Sequence, residues 1–274
     1  MPSSYLLKRI PTSPARIATD LEQVEPFGFV ESYGEFVCGS WRTCVLWNAT
    51  GDSRDAEIRD YSGTAQMTEA GRKLPYLEEL MAGNFELDKL RFARLTRLSP
   101  GSVTLPHRDY VELESDLVRI HLPLMTSPEA YACEAATVYR MSPGELWFLD
   151  ARKVHSVANF SQHSRIHLLL DFAAPDPMSV FLQKPDGPLR MPADSIVERR
   201  PLRPGERKEF QALARVVDPV NLMDVLAVLI KRCFVAEMDA VDIYDWMDDI
   251  AVESGDPQVL SRARWLRSHC LVSR

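Results

Sequence analysis

Two histidines and one aspartate are the residues of this sequence best suited to bind a transition metal. His107 and Asp109 lie two positions apart in the stretch LPHRDY. In an extended strand, that spacing puts both side chains on the same face. His155 ends the stretch GELWFLDARKVH, where a strand, a turn and a second strand can bring it back to the first pair. Two imidazoles and one carboxylate leave coordination positions open, an arrangement that suits non-haem iron(II) oxygen chemistry.

The His-x-Asp pair alone is weak evidence for a metal site. With six histidines and 39 acidic residues among 274, about one such pair is expected by chance. The alternative is a strand histidine beside a surface carboxylate. Only the addition of His155 at a suitable place in the chain favours the metal site over that alternative.

An arginine follows the second histidine at the start of the strand-like run RIHLLLDF. Alternation along a strand predicts that Arg165 and His167 point the same way. A guanidinium offers paired donors that match a carboxylate, and each sheltered charge-assisted bond contributes roughly 1.5–3 kcal/mol. Arg165 is therefore predicted to anchor a dicarboxylate cosubstrate. For His167, a role in the core stays open beside substrate contact.

The surrounding sequence predicts a β-rich core. Short apolar runs separated by turns fill about residues 89–173, and Ser-Pro-Gly turns occur twice among them. Many short strands at this spacing are typical of a sandwich, jelly roll or barrel. A β pattern also begins at Phe36, and the spacing of Leu74, Leu77 and Leu80 predicts a short helix over 74–85.

The chain changes character after this core. The sequence predicts three parts: a β domain over 1–175, a proline-rich connector over 176–203, and a helical domain over 204–274 with apolar residues three and four apart. The helical domain could form a bundle, make a dimer interface or cover the site.

Composition excludes several classes of protein. The net charge of −7 argues against nucleic-acid binding, which uses clustered basic residues. No apolar run is long enough to span a bilayer, and the N-terminus lacks a signal-peptide pattern, so we expect a cytoplasmic protein with no membrane partner. The five cysteines are scattered and favour core residues or free thiols over disulfides.

Beyond these residues, the sequence resembles a known family over about residues 33–172. It is similar to the bacterial free L-proline hydroxylases, relatives of the aspartyl/asparaginyl β-hydroxylases, in the stretches YGEFVCGSW, VLWNATGDS, PYLEEL, PHRDYVEL, VRIHL, MSPGELWFLDARKVHSVANFS and RIHLLLDF. The tail, with PLRPGERKEF and IYDWM, is similar to the C-terminal extension of proline 3-hydroxylases. The resemblance implies an α+β chain with a double-stranded β-helix core, flanking helices and a C-terminal helical domain.

The resemblance also implies a set of cofactors and the residues that hold them. Fe(II) would be bound by His107, Asp109 and His155, with O2 as the oxidant. Arg165 would hold the distal carboxylate of the cosubstrate 2-oxoglutarate. Arg119 and His121, in VRIHL, match a segment that lies against the chelating end of 2-oxoglutarate and against the substrate.

Further residues match the substrate pocket of the family. Arg94 matches a position for the substrate carboxylate, and Arg119 is also expected to contact the substrate. Asn48 is a looser candidate for the pocket, and Trp47 beside it could supply an apolar wall. The alternative for Arg94, Arg97 and Arg119 is a structural ion pair with one of the many acidic residues, and it applies to Arg97 most of all.

The expected activity is hydroxylation of a ring C–H of a free cyclic L-amino acid, L-proline or L-pipecolic acid, with release of succinate and CO2. Two alternatives stay open: hydroxylation of Asp or Asn side chains within a protein, and a cupin-like binding protein or isomerase without redox chemistry. The expected partner is a small amino acid, and a homodimer stays open.

Overall fold

The computed structural model describes residues 2–31, 34–109, 117–186 and 190–272. Its helices are α1 Pro14–Val24, α2 Pro75–Asn84, α3 Glu206–Gln211, α4 Leu222–Cys233, α5 Asp242–Ser254 and α6 Pro257–Leu271. Its strands are β1 Tyr5–Arg9, β2 Val30–Glu31, β3 Val37–Cys38, β4 Trp41–Asn48, β5 Gln66–Met67, β6 Leu90–Leu98, β7 Val103–Thr104, β8 Leu117–Met125, β9 Ala130–Glu134, β10 Thr137–Tyr139, β11 Glu145–Leu149, β12 His155–Asn159 and β13 Arg165–Ala173.

Two antiparallel sheets form the β core. The large sheet has the order β1-β11-β8-β13-β6-β4-β2, with β5 paired to β4, and the small sheet has the order β10-β9-β12-β7-β3. From β6 to β13 the chain passes back and forth between the sheets, placing β6, β8, β11 and β13 in one and the other four in the second. This is the strand order of a double-stranded β-helix, so the predicted fold class is confirmed.

The large sheet is covered on both faces. Its outer face packs against α1 and α2 in a cluster that includes Ile17, Leu77, Leu95 and Leu170. Its inner face is directed at the small sheet. The long strand β13 is therefore buried along nearly its whole length. Burial on both faces means that the polar residues of this strand, Arg165, His167 and Asp171, are buried together with its apolar ones.

The C-terminal helices share a core with the small sheet. Phe36 and Leu105, from the sheet and its edge, pack in one cluster with Leu226 of α4 and Ile243 of α5. The helical structure predicted for residues 204–274 is present as α3–α6. At the start of α6, the Asp256 carboxylate accepts hydrogen bonds from the backbone of Gln258 and Val259, as expected of an N-cap.

The connector between core and tail is bound to both. Phe181 pairs with Phe85 by a β-bridge, and Ile196 does the same with Tyr139. The guanidinium of Arg199 donates to backbone carbonyls beyond the end of α4, at 2.8 Å for that of Ala236. The predicted boundaries of the three parts stay a prediction. Across the part of the chain that the structure describes, every helix is too short or too polar to traverse a lipid bilayer.

Candidate active site

The segment that follows β7 places His107 and Asp109 beside the first residue of β12. His107 and His155 exchange two backbone hydrogen bonds of 2.9 Å, and the Asp109 N–H donates to the Ala151 carbonyl at 2.7 Å. The regular strand ends at Thr104, so the expectation of a continuous strand through the His-x-Asp pair is wrong at Asp109, which lies in a bend. Residues 110–113 of that expected strand lie outside the described residues.

The three predicted metal ligands converge on one point. His107 Nε2 lies 3.6 Å from Asp109 Oδ1, and His155 Nε2 lies 3.8 Å from Asp109 Oδ2. All three ligand atoms lie within 4.8 Å of one another. Ligands about 2.1 Å from a shared ion are separated by about 3 Å, so small side-chain adjustments allow all three to bind it.

Backbone carbonyls fix which ring nitrogen of each histidine faces that point. His107 Nδ1 is 2.7 Å from the Leu105 carbonyl, and His155 Nδ1 is 2.9 Å from the Lys153 carbonyl. Because a carbonyl can only accept, each Nδ1 carries the proton and donates. The lone pair of each Nε2 is then directed at the metal position, which is the usual arrangement behind metal-binding histidines.

Arg119 links the third ligand to a second, fully buried carboxylate. Its Nη1 donates to Asp109 Oδ2, and its Nε donates to Asp171 Oδ1 at 2.8 Å. Asp171 has no exposed surface. The ion pair that sequence reasoning left open for Arg119 therefore exists, and it includes a predicted metal ligand. Asp171 was not singled out from the sequence, although a carboxylate inside the run RIHLLLDF was the available signal.

Arg165 opens β13 and is the second charged group of the site. Its Nη2 contacts His167 Nδ1 at 3.1 Å, which confirms that the two side chains point the same way. Its Nη1 is buried and has no hydrogen-bond partner among the residues that the structure describes. Burial lowers the pKa of Arg165 to about 10, so the guanidinium stays charged at neutral pH. A buried cation with an unsatisfied donor is a binding site for an anion.

Two further histidines lie near this guanidinium and are neutral. Burial, and after it the positive charge of nearby arginines, lowers the pKa of His121 well below its usual value. Burial and then Arg165 do the same for His167. Their rings meet edge to face with centroids 5.9 Å apart. Within the described part of the chain, both ring nitrogens of His121 lack a hydrogen-bond partner, so this imidazole can donate to or accept from a bound molecule.

Most of these groups face one cavity between the two sheets, whereas His167 and Asp171 are not among its lining residues. Its lining side chains are Phe36, Trp41, Arg94, Thr104, His107, Asp109, Arg119, His121, Met141, Leu149, His155, Val157, Arg165 and Leu169. The structure thus brings together the predicted metal ligands and the predicted residues Arg94, Arg119, His121 and Arg165. The apolar part of the wall was missed, because nothing in a sequence distinguishes a strand residue that lines a cavity from one that lies in the core.

Asn48 and Trp47 are not among the residues that line this cavity. The Asn48 carboxamide donates to the carbonyls of Asp52 and Asp55 at 2.8 and 2.7 Å and thereby holds the following loop. Trp47 is 5% exposed and packs in the core beneath α1 and α2. In this structure both residues have a role in the fold, and their assignment to the substrate pocket stays a prediction.

Arg94 and Arg97, both in β6, have different surroundings. Arg94 is 3% exposed and lines the cavity. Arg97, three residues later and on the opposite face, pairs with Glu25 and lies over the Phe29 ring at 3.9 Å. The structural interpretation of Arg97 is therefore confirmed.

Comparison with known proteins identifies the family. Residues 14–175 match the model of the aspartyl/asparaginyl β-hydroxylase family. The chain belongs to this family. Residues 178–274 match a second model, described as the C-terminal part of L-proline 3-hydroxylase. The matches cover both the β core and the helical tail, and they confirm the resemblance found in the sequence.

Characterised relatives align over nearly the full chain. An L-proline cis-4-hydroxylase of Rhizobium meliloti is 31% identical over 272 residues, which is 99% of this chain and 97% of the relative. Two L-proline cis-3-hydroxylases of Streptomyces are each 34% identical over 99% of this chain and 96% of their own length.

Proposed function

We propose that this protein is an Fe(II)- and 2-oxoglutarate-dependent hydroxylase that acts on a ring C–H of a free cyclic L-amino acid, L-proline or L-pipecolic acid. The observation that supports this most strongly is the placement of His107, Asp109 and His155 at one end of a cavity that also contains the buried, half-satisfied guanidinium of Arg165.

The donor set fits a ferrous ion. Two neutral imidazoles and one carboxylate form the ligand set of non-haem iron(II) oxygenases and leave open positions for a cosubstrate and oxygen. With 2-oxoglutarate and O2, a ferrous ion supplies an oxidant strong enough to hydroxylate an unactivated C–H while succinate and CO2 are released. The Leu105 and Lys153 carbonyls hold the imidazoles in the binding tautomer, and Arg119 holds the second oxygen of Asp109.

Arg165 fits the distal carboxylate of 2-oxoglutarate. Its free Nη1 offers a charged donor, and the contact with His167 fixes the plane of the guanidinium. Because the site is buried, a charge-assisted bond here is stronger than one at the surface. His121 lies near this arginine and can contact the chelating end of the same molecule.

The charges around the cavity match the proposed ligands. Arg94, Arg119 and Arg165 contribute three positive charges, and Asp109 and Asp171 contribute two negative ones. A ferrous ion raises the sum to three positive charges. The two carboxylates of 2-oxoglutarate reduce it to one positive charge. A free amino acid is a zwitterion, so its carboxylate can pair with an arginine of the cavity without changing this sum. Arg94 is the arginine we assign to the amino-acid carboxylate, because it is buried, lines the cavity and matches the family position for that group.

The comparisons favour a free imino acid over an Asp or Asn side chain in a protein. The helical tail matches a model described from L-proline 3-hydroxylase, and the full-length relatives are named for L-proline. These relatives include both cis-3- and cis-4-hydroxylases at similar identity, so the carbon that is hydroxylated has to be located by experiment.

The test is an assay of coupled turnover. The protein is incubated with Fe(II), ascorbate and 2-oxoglutarate, L-proline and L-pipecolic acid are offered separately, and succinate is measured while NMR locates any new hydroxyl group. We expect succinate and hydroxylated product in equal amounts with at least one of them. His107→Ala should be inactive, and His163→Ala, at an exposed turn, should retain activity. Absence of succinate with every amino acid tested would favour a binding protein or isomerase.

A further inference from the structure

The segment that bears two of the metal ligands has different neighbours on its two sides. Successive backbone groups of an extended chain point to opposite sides. The N–H and C=O of His107 and the N–H of Asp109 point toward β12 and the turn before it, where they are hydrogen-bonded. The intervening groups, the Pro106 carbonyl and the Arg108 N–H, point the other way.

The C-terminal helices satisfy both of those intervening groups. Tyr244 of α5 donates its hydroxyl hydrogen to the Pro106 carbonyl at 2.6 Å. The Arg108 N–H donates to the carbonyl of Cys270, near the end of α6, at 2.9 Å. That carbonyl is among the last four of a helix, which have no partner inside the helix. The two hydrogen bonds lie immediately before and after His107.

Packing supports the same connection. Tyr244 is 2% exposed and Cys270 is fully buried. Both belong to the cluster that also contains Leu105 and Phe36. Phe36 in turn lies against the His107 ring, with centroids 4.6 Å apart. The metal-binding segment therefore lies between the small sheet and the helical tail, in the place that a neighbouring strand would otherwise occupy.

We infer that the helical tail, through Tyr244 and the end of α6, positions His107 and Asp109 for metal binding, and that Tyr244 is a positioning residue of the metal site. This inference rests on the proposed function only in taking these residues to bind a metal. Without the Tyr244 hydroxyl, the buried Pro106 carbonyl loses its hydrogen-bond donor. The metal-binding segment then shifts so that this carbonyl can find another donor. Because His107 follows directly, the shift moves a ligand.

The chain offers a matched control. Tyr76 of α2 is 5% exposed, and its hydroxyl also makes one 2.6 Å hydrogen bond to the backbone, accepting from the Ser13 N–H. It lies in the cluster on the outer face of the large sheet. Tyr76→Phe and Tyr244→Phe therefore each remove one buried hydroxyl and one backbone hydrogen bond, and only the second change adjoins the metal-binding segment.

The experiment measures binding of Co(II) to the full-length chain, followed by its visible absorption, without 2-oxoglutarate or substrate. We expect Tyr244→Phe to bind Co(II) about three- to tenfold more weakly than the wild type and Tyr76→Phe to bind it unchanged. Equal affinity in all three proteins, or an equal loss in both variants, overturns the inference. A wild type that does not bind Co(II) overturns the metal site and the inference together.

A second measurement needs no variant. If the tail positions the ligands, metal binding must stabilise the tail by the same coupling. Amide hydrogen exchange of the wild type, with and without Co(II), should slow in α5 and at the end of α6 as well as in residues 103–109. Slowing confined to residues 103–109 and β12 overturns the inference even though the metal site is intact.

Discussion

Replacing Arg165 with methionine tests the assignment of the cosubstrate anchor. Methionine fills most of the same space without the charge or the donors. Arg165 is 3% exposed, and its Nη1 lacks a partner. Removing a buried, partly satisfied cation relieves its desolvation, so the ligand-free variant should be at least as stable as the wild type. The loss should appear only when 2-oxoglutarate is present.

The magnitude follows from one charge-assisted hydrogen bond between Nη1 and the distal carboxylate. Such a bond contributes about 1.5–3 kcal/mol, which predicts that the Kd for 2-oxoglutarate rises about 10- to 150-fold. At a concentration 100 times the wild-type Kd, 2-oxoglutarate stabilises the wild type by about 2.7 kcal/mol. At that same concentration the Arg165→Met protein should gain only about 0.3–1.4 kcal/mol.

The assay is urea unfolding with Mn(II), with and without 2-oxoglutarate, alongside the KM for 2-oxoglutarate in turnover. Arg97→Met is the matched control, because Arg97 lies opposite Ile166 on the neighbouring strand but pairs with Glu25 outside the cavity. The control should keep the full gain from 2-oxoglutarate. If Arg165→Met also kept the full gain and an unchanged KM, the guanidinium would not be the anchor.

Three further predictions concern other parts of the site. Raising the pH through about 10 should weaken 2-oxoglutarate binding by about tenfold per unit, because burial lowers the pKa of Arg165 to about 10 and the ligand binds the charged form. Calorimetric titration from pH 7 to 11 should show constant affinity below pH 9. Asp171→Asn should lower the free energy of unfolding in urea by about 3 kcal/mol, because it breaks the buried ion pair with Arg119. Asp248→Asn, at an exposed ion pair, should lower it by less than about 1 kcal/mol. Similar losses in both variants would refute the structural role of Asp171. The ring resonances of His121 in the ligand-free protein should titrate well below the pH at which a histidine in a short peptide titrates, because burial first and nearby arginines second lower the pKa of the ring. A midpoint at or above that of the peptide would contradict the geometry.

Sequence patterns predicted much of the fold for a physical reason. The helix predicted over 74–85 is α2 at Pro75–Asn84. The short apolar runs predicted as strands between residues 89 and 173 correspond to β6–β13. Local spacing reports which face of an element is apolar. Strand order depends on which distant segments pair, and no local pattern contains that information.

The site shows the same division between local and nonlocal information. The types and spacing of His107, Asp109 and His155 were enough to predict the ligands, since metal chemistry restricts the choice. Their convergence depends on backbone pairing between residues 107 and 155, which is nonlocal. Asp171 was missed because its role depends on an ion pair with Arg119, which lies opposite it on the neighbouring strand β8.

Trp47 and Trp41 show a different limit. Both lie in β4, whose last six residues are all buried, so alternation did not reveal which side chains face the cavity. The sequence favoured Trp47 for the pocket, whereas the structure places Trp41 in the wall. The contribution of the helical tail to the metal-binding segment was likewise invisible, because it consists of hydrogen bonds to backbone groups.

The most direct test of the central claim is a crystal structure of the protein with Mn(II) and 2-oxoglutarate, with data collected at the manganese absorption edge. The claim predicts one strong anomalous peak within bonding distance of His107 Nε2, His155 Nε2 and the Asp109 carboxylate, with the distal carboxylate of 2-oxoglutarate on Arg165. An anomalous peak elsewhere, or a 2-oxoglutarate whose distal carboxylate points away from Arg165, would contradict it.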